Sequence, residues 1–324
     1  MRAAVVTEAS LVVKEVPDPR PGPGQVLVRL RAIGLNRADL GVAAGHRHGS
    51  QGGPGAIPGI EGAGEVVEVG PNVPSHITAG MRVMASMGGS YAEYCAVHWG
   101  RLFPVPSNDM PWEVAATLPI ALQTMHDAVV THGLCGPGRS ILIQGASSGV
   151  GLMGLQVARL MGATTVIGTS TSAERRARLA GFGATHAVDT SDPAWVDEVL
   201  EATGGRGVDA VVDMVSGPLV SQTLRATAIL GRIVNVGRLG GMTAEFDFDT
   251  HAARRISYIG VTFRTRSAEE VAEIVRKARA DLWEALEAGQ LSLPLDRTYR
   301  LAEVNEALAR MSGNQHFGKL ALVP

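Results

Sequence analysis

Short β-strands fill the first third of the chain. In residues 26–31, Val26, Val28 and Leu30 alternate with Leu27 and two arginines, and this period of two predicts a strand. Glu65–Val69 predicts a second strand because a glycine bounds it on each side. Dense glycine and proline turn signals separate such segments, at residues 17–24, 52–55 and 88–89. Many short strands between turns indicate a small, barrel-like β domain.

A different pattern begins near Leu118, where apolar runs alternate with helical periodicity. The apolar runs lack polar alternation, which is typical of parallel strands buried on both faces, and they are Ile141–Ile143, Thr165–Ile167, Ala210–Val212 and Ile233–Val236. Helical patterns lie between them, as in Val150–Met161 and Ala173–Ala180. This order of strands and helices predicts an α/β fold with a doubly wound parallel sheet.

The last part of the chain predicts a long helix followed by a strand. Apolar residues from Val271 to Leu286 recur at a spacing of three to four, and Gly289 suits the position just after the helix. Residues 320–323 predict a final strand. We infer that this segment returns to the first domain, so residues 1–118 and 265–324 form one domain and 119–264 form the other.

Composition narrows the class of protein. The chain has 324 residues, of which 45% are hydrophobic and 19% are charged, and this composition is typical of a globular protein. The net charge of −2 offers no basic excess for nucleic acid. Cys95 and Cys135 can build neither a disulfide framework nor a four-cysteine zinc site. Glycine is in excess, with 40 residues, which indicates many tight turns and a ligand site lined by backbone.

No targeting or membrane signal stands out. Glu8 interrupts the N-terminus before a long apolar run develops, so a secretory signal is not expected there. Apolar stretches stay well below the roughly 18 residues that predict a membrane span. Without such a signal, and with two cysteines that fit a reducing compartment, a cytoplasmic protein that has no membrane partner is expected.

A glycine-rich segment, Gly145-Ala146-Ser147-Ser148-Gly149-Val150-Gly151, follows a predicted strand and opens a predicted helix. We call it the glycine loop. Small residues let the backbone approach a pyrophosphate, and the helix N-terminus supplies N–H groups and a positive dipole end. Glycines also occur at such turns for packing alone, but the strand–turn–helix context favours a dinucleotide site.

The second strand of this unit decides which dinucleotide is expected. An NAD site usually has an acid about 20 residues after the loop, whereas here the strand ends in Gly168-Thr169-Ser170-Thr171 and Arg175 and Arg176 follow. Missing negative charge with guanidinium nearby favours the 2′-phosphate of NADPH. A second interpretation, compatible with the first, is that Thr171 and Glu174 form a capping box and the arginines lie on an exposed helix face.

Further segments carry a resemblance to the medium-chain dehydrogenase/reductase superfamily over essentially the whole length. They are Gly34-Leu35-Asn36-Arg37-Ala38-Asp39-Leu40, Pro58-Gly59-Ile60-Glu61-Gly62-Ala63-Gly64-Glu65-Val66, Gly89-Ser90-Tyr91-Ala92-Glu93-Tyr94 and Phe317-Gly318-Lys319-Leu320. The branch that the chain resembles most is that of the zeta-crystallin-type quinone oxidoreductases, which are similar to the enoyl reductase modules of polyketide synthases. This resemblance implies a Rossmann domain together with a GroES-like β-barrel domain.

Departures from the family pattern are informative. Zinc-dependent members have Cys and His where this chain has Asn36 and Ile60, and the four-cysteine zinc lobe is absent, so the resemblance implies a reductase without metal. Glu61 is expected to be structural. The branch often has two adjacent glycines where Ser148-Gly149 stands. Many members also have a tyrosine where this chain has Gly45-His46-Arg47-His48, which leaves the substrate shape open.

The glycine loop also looks like that of the short-chain dehydrogenases. That family places the loop near its N-terminus and has a Tyr four residues before a Lys, and none of the four tyrosines here has Lys at that spacing. We therefore reject this alternative.

The resemblance suggests catalytic candidates, each with a structural alternative. Asn36 is expected to orient substrate or nicotinamide, unless it only caps a turn, because its amide both donates and accepts. Asp39 supports Asn36 or begins a helix. His46 and His48 can donate a proton, or they are solvated loop residues. Tyr91 faces the cleft or belongs to the β core.

The resemblance also implies contacts to the cofactor. Thr124 matches a position near the nicotinamide. The residues expected around the adenosine phosphate are Ser170, Arg175 and Thr190. Those expected near the ribose or nicotinamide are Val215, Gly237 and Phe263. Two residues of the last segment are expected to close the site, Asn314 and Lys319, although Lys319 also fits a surface position beside a strand.

The implied function is NADPH-dependent hydride transfer to a quinone or an α,β-unsaturated carbonyl, with a small-molecule partner. An enoyl-thioester reductase of polyketide or fatty-acid type biosynthesis is an alternative, and so is a non-catalytic NADPH-binding protein. Members of the branch form homodimers through the edges of their cofactor-domain sheets. Ile256–Ile259 is the edge strand that this implies here.

Overall fold

The computed structural model describes residues 1–8, 10–46, 52–106 and 109–324. It divides into two compact units. Unit 1 comprises Met1–Gln123 and Phe263–Pro324, and unit 2 comprises Thr124–Thr262. His48, one of the proposed proton donors, lies outside the described residues.

The elements are numbered in chain order. The strands are β1 (Arg2–Val6), β2 (Leu11–Glu15), β3 (Gln25–Gly34), β4 (Glu61–Val69), β5 (Arg82–Ser86), β6 (Tyr94–His98), β7 (Leu102–Pro104), β8 (Ser140–Ile143), β9 (Thr165–Thr169), β10 (His186–Val188), β11 (Val208–Asp213), β12 (Thr227–Asn235), β13 (Ser257–Gly260), β14 (Leu295–Arg300) and β15 (Lys319–Val323). The α-helices are α1 (Arg37–Ala43), α2 (Trp112–Ala115), α3 (Pro119–Met125), α4 (Gly149–Leu160), α5 (Ala173–Arg178), α6 (Trp195–Ala202), α7 (Val220–Ala226), α8 (Phe248–Arg254), α9 (Ala268–Glu287) and α10 (Val304–Ser312). A π-helical segment, His126–His132, follows α3.

Unit 2 is built on a six-stranded parallel sheet in the order β10-β9-β8-β11-β12-β13. Renumbered within the unit, this is 3-2-1-4-5-6, the order of a Rossmann dinucleotide fold. The prediction of a doubly wound parallel sheet is therefore confirmed. Every residue of β8 is buried, as the unbroken apolar run predicted. The predicted edge strand is present as β13, shifted by one residue.

Unit 1 contains a seven-stranded sheet in the order β14-β15-β3-β4-β5-β7, with β6 also paired to β3. Strand β3 is its centre, because it pairs antiparallel with β4, with β6 and, at its carboxyl end, with β15. Strand β4 begins at Glu61, four residues before the strand predicted from the sequence. The prediction missed its first half because Gly62 and Gly64 resemble turn residues.

The helices differ from prediction mainly at their ends. Helix α4 begins at Gly149, and α9 ends at Glu287 with Gly289 in the left-handed conformation expected of a residue just after a helix. The interpretation that Thr171 and Glu174 form a capping box is wrong. Ser172 is the N-cap of α5, and its hydroxyl accepts the N–H of Arg175. A hydroxyl one residue later competes successfully for the same role.

Candidate active site

Asn36 lies where β3 gives way to α1, and its side chain is almost fully buried in unit 1, with 8% exposed. Its Nδ2 donates to Glu61 Oε1 at 2.8 Å, and its Oδ1 accepts from Lys319 Nζ at 2.9 Å. The backbone N–H of Asn36 donates to the Asp39 carboxylate. Asn36 thus occupies a helix cap position, as the structural alternative held, while its amide belongs to a buried polar network.

Glu61 and Lys319 form the charged pair of that network. Glu61 is the first residue of β4 and Lys319 the first of β15, and both strands pair with β3. Lys319 Nζ lies 2.6 Å from Glu61 Oε1, with side chains 4% and 0% exposed. The ammonium also donates to the Leu35 carbonyl at 2.8 Å, and the Ile120 N–H donates to Glu61 Oε2 at 2.9 Å. Lys319 is therefore not a surface residue.

Asp39, on α1, and Tyr91 extend the network beyond Asn36. The Tyr91 hydroxyl donates to Asp39 Oδ2 at 2.9 Å, and both side chains are fully buried. Burial raises the pKa of Asp39 to about 7, against the hydrogen bonds from Asn36 and Tyr91 that lower it. Burial also raises the pKa of the Tyr91 phenol well above its usual range. These positions suit support of Asn36 better than contact with a substrate.

The donor chemistry of the network does not suit a zinc ion. Zinc takes thiolate, imidazole or carboxylate ligands, whereas this site offers an amide and one carboxylate beside a buried ammonium that repels a cation. Ile60 contributes no donor atom. Among the residues that the structure describes, no three His, Cys, Asp or Glu side chains are placed to hold a metal ion.

The glycine loop joins β8 to α4 in unit 2. Ser148 is the N-cap, with its hydroxyl accepting the Gly151 N–H at 3.1 Å and donating to the Gly145 carbonyl at 3.0 Å. A Cβ atom on Gly151 would lie 2.6 Å from the Gly145 carbonyl oxygen, so only glycine fits. The N–H groups of Gly149 and Val150 lie in the first turn, where a helix provides no acceptor. This cradle fits a pyrophosphate.

The carboxyl end of β9 presents the residues expected near an adenosine phosphate. Ser170 is buried, and its hydroxyl donates to that of Ser147 at 3.1 Å. Arg176 is held by Asp189 at 2.7 Å and by the Ser170 carbonyl at 2.8 Å. Arg175 is half-buried on α5, one residue before Arg176. Sequence reasoning missed Asp189, which follows β10.

The turn after β11 adds a buried polar cluster that sequence reasoning also missed. Asp213 accepts the N–H groups of Val215 and Ser216 at 2.9 and 2.8 Å. The Ser216 hydroxyl donates to the Gly237 carbonyl at 2.9 Å, and Asn235 Nδ2 donates to the same hydroxyl. Burial raises the pKa of Asp213. The cluster brings Val215 and Gly237 together at the carboxyl ends of β11 and β12, where doubly wound sheets bind ligands.

The other predicted site residues belong neither to the network around Asn36 nor to the cluster around Asp213. Thr124 is buried on α3, and Thr190 is half-buried after β10. The Arg266 guanidinium lies 5.3 Å from the centre of the Phe263 ring. Asn314 has a positive φ of 53° and accepts a hydrogen bond from Arg37. His46 is exposed at the end of the described segment that follows α1.

Neither cysteine is activated. Cys95 and Cys135 are free and buried, and burial raises the pKa of the first thiol to about 12 and of the second to about 11. A thiol that stays protonated at neutral pH is a poor nucleophile, so both residues serve packing.

Comparison with known families matches both parts of the chain. The family described as "Alcohol dehydrogenase GroES-like domain" matches residues 22–107, and the one described as "Zinc-binding dehydrogenase" matches residues 149–279. The synaptic vesicle membrane protein VAT-1 homolog of Rattus norvegicus is 30% identical over 321 residues, covering 94% of this chain and 78% of that protein. The chain belongs to the medium-chain dehydrogenase/reductase superfamily. The predicted combination of a Rossmann and a GroES-like domain is confirmed.

Other relatives define the class more closely. A phthioceranic/hydroxyphthioceranic acid synthase of Mycobacterium tuberculosis is 31% identical over 318 residues, covering 93% of this chain and 14% of the synthase. The structure of a mycobacterial quinone oxidoreductase is 28% identical with a TM-score of 0.87, and that of a mycobacterial protein complexed with NADPH is 28% identical with a TM-score of 0.88. Each comparison covers the whole of both chains.

These comparisons identify an oxidoreductase that uses a nicotinamide cofactor and a small-molecule substrate. In the part of the chain that the structure describes, no helix combines the length and apolar character needed to cross a bilayer.

Proposed function

We propose that this protein is an NADPH-dependent reductase that transfers hydride to a quinone or an α,β-unsaturated carbonyl without a metal. The observation that carries the proposal is the buried network of Asn36, Glu61 and Lys319. It stands where zinc-dependent relatives have metal ligands, and its donors do not suit zinc. An acceptor that is already electrophilic needs hydrogen-bond donors for its developing negative charge rather than a Lewis acid.

The cofactor is assigned to unit 2. The glycine loop and the first turn of α4 hold the pyrophosphate, Ser170 and Arg175 with Thr190 surround the adenosine phosphate, and Val215 and Gly237 approach the ribose. The further contact proposed in this unit is Thr124. When bound, the reduced nicotinamide supplies hydride. Arg175 favours NADPH over NADH, because a guanidinium pairs with a 2′-phosphate.

Asn36 is assigned to the acceptor. One of its amide N–H groups donates to the oxygen that gains negative charge, while the other remains bound to Glu61. Asp39 and Tyr91 act through the backbone of Asn36 rather than on the substrate. The proton that completes the reduction comes from exposed His46 or from solvent water.

An enoyl thioester is the second candidate substrate. The observation that favours it is the 31% identity to the phthioceranic/hydroxyphthioceranic acid synthase over 93% of this chain. Reduction of an enoyl thioester also places negative charge on a carbonyl oxygen, so Asn36 has the same task. The two candidates differ in the length and chemistry of the acceptor tail.

We further propose a homodimer formed through β13, and a cytoplasmic location. Strand β13 ends the sheet of unit 2, so one of its edges carries unpaired backbone groups. Tyr258 on this strand is 37% exposed. Two buried, unpaired thiols suit a reducing compartment.

The test is the loss of reduced-nicotinamide absorbance against quinones, enals, enones and enoyl thioesters, with NADPH and NADH in parallel. Turnover of quinones or enones with NADPH supports the proposal, and turnover of thioesters alone selects the second candidate. No turnover across the panel, with NADPH binding intact, would refute the general reductase and leave a narrow substrate or a binding role. Equal rates with NADH would refute the role of Arg175.

A further inference from the structure

The amide of Asn36 has a single orientation in the buried network of unit 1. Its oxygen faces the Lys319 ammonium, and its nitrogen faces the Glu61 carboxylate. Rotating the amide by half a turn would place N–H groups against the ammonium and the carbonyl against the carboxylate. Both contacts would then be repulsive, so the two charges together fix the rotamer.

Lys319 has no capacity left for a ligand. Its ammonium has three hydrogens, and they go to Glu61, to Asn36 and to the Leu35 carbonyl. Both oxygens of Glu61 are also used, by Lys319 and Asn36 on one side and by the Ile120 N–H on the other. Asn36 alone keeps a donor: its second Nδ2 hydrogen has no partner among the described residues. Neither charged side chain can therefore act directly on a substrate.

We propose that Lys319 and Glu61 are positioning residues that together fix the Asn36 amide, and that Lys319 polarises it, so that it presents one strengthened N–H to the acceptor. The donation from the ammonium to Oδ1 draws electron density out of the amide, and chained hydrogen bonds strengthen each other in a medium of low dielectric. This inference rests on the proposed function. It moves Lys319 from closing the cofactor site to supporting Asn36.

The experiment is a double-mutant cycle on the full chain, with Lys319→Met, Asn36→Ala and the double variant assayed against the best acceptor. Because Lys319 acts through Asn36, we expect Lys319→Met to lower kcat by about 10-fold or more. We expect it to leave the Kd of NADPH within about twofold. We expect the double variant to match Asn36→Ala. Effects that multiply in the double variant, or a kcat within about twofold of wild type, would overturn the inference.

Arg310→Met is the matched control, because it breaks another ion pair of unit 1, to Asp296 at 2.8 Å, without touching the network. Its kcat should equal that of the wild type; a loss as large as that of Lys319→Met would assign both effects to stability and overturn the inference. If Lys319→Met does not fold, Glu61→Gln replaces it in the same cycle, since it sets an amide N–H against a neighbour that also donates.

A second readout does not depend on turnover. With selectively labelled asparagine, and with Asn36→Ala to assign the NMR signals, the two side-chain N–H signals of Asn36 should change chemical shift in Lys319→Met, because the ammonium no longer withdraws electron density from the amide. Unchanged signals would overturn the inference. If the wild type reduces no acceptor while the signals respond as expected, the proposed function fails and the fixed amide stands.

Discussion

Replacing Asp39 by asparagine tests the electrostatics of the buried network. Asp39 is fully buried, and its pKa of about 7 lies about 3 units above its usual value of 3.8. At about 1.4 kcal/mol per unit, ionising this carboxyl in the folded protein costs about 4 kcal/mol relative to ionising it in the unfolded chain. Asparagine keeps the shape and can accept from Tyr91, but it carries no charge at any pH.

The sign follows from proton binding. Between about pH 4 and pH 7, the folded protein holds a proton on Asp39 that the unfolded chain has lost. The stabilisation from this group is therefore complete below pH 4, and it falls by about 1.4 kcal/mol per pH unit until pH 7. Above pH 7 it is constant. We expect the wild type to lose stability between pH 5 and pH 7 relative to Asp39→Asn, and the variant to be the more stable at pH 8.

The assay is urea unfolding at pH 5, 6, 7 and 8, with the difference in unfolding free energy between variant and wild type plotted against pH. Other titrating groups cancel in that difference. Asp249→Asn is the control for the loss of one negative charge, because it removes an exposed carboxyl. A flat plot for Asp39→Asn, or a wild type that gains stability relative to it as the pH rises, would refute the reasoning.

Four further outcomes are expected. Gly151→Val should raise the Kd of NADPH by about 10-fold or more in a fluorescence titration, because its side chain meets the loop backbone; unchanged affinity would contradict the cradle. Arg175→Ala should raise the KM for NADPH but not for NADH, and equal effects in steady-state kinetics would count against it. Tyr91→Phe should shift the pH-dependent loss of stability to higher pH, because Asp39 loses a hydrogen bond that lowers its pKa; no shift in urea unfolding would argue otherwise. Tyr258→Lys should give a monomer by light scattering, and an intact dimer would exclude pairing through β13.

The parts of the fold that local patterns determine were predictable. The glycine loop and α4 follow from glycine spacing next to a buried apolar run, and the structure places them within a residue or two of the prediction. The first half of β4 was missed, because glycine in a strand resembles glycine in a turn. Ser172 rather than Thr171 caps α5, since adjacent hydroxyls give the same signal.

The buried network of Asn36, Glu61 and Lys319 could not be predicted from local sequence patterns. Lys319 contacts Asn36 across 283 positions and Glu61 across 258, so no local spacing relates them. The resemblance to a family brought Asn36 and Lys319 forward as candidates, yet assigned Glu61 a purely structural place. Only the pairing of β15 and β4 with β3 brings the three side chains together.

Unit 1 consists of two sequence segments separated by unit 2, and this has a consequence for its folding during translation. Glu61 emerges long before Lys319, and the whole of Thr124–Thr262 is synthesised between them. At cellular elongation rates this interval lasts on the order of ten seconds. During this interval the Glu61 carboxylate lacks its partner Lys319. The sheet around β3 therefore cannot bury Glu61 as part of an ion pair. The nascent chain can complete its second unit first, and the Asn36 amide acquires its fixed orientation only after Lys319 has been synthesised.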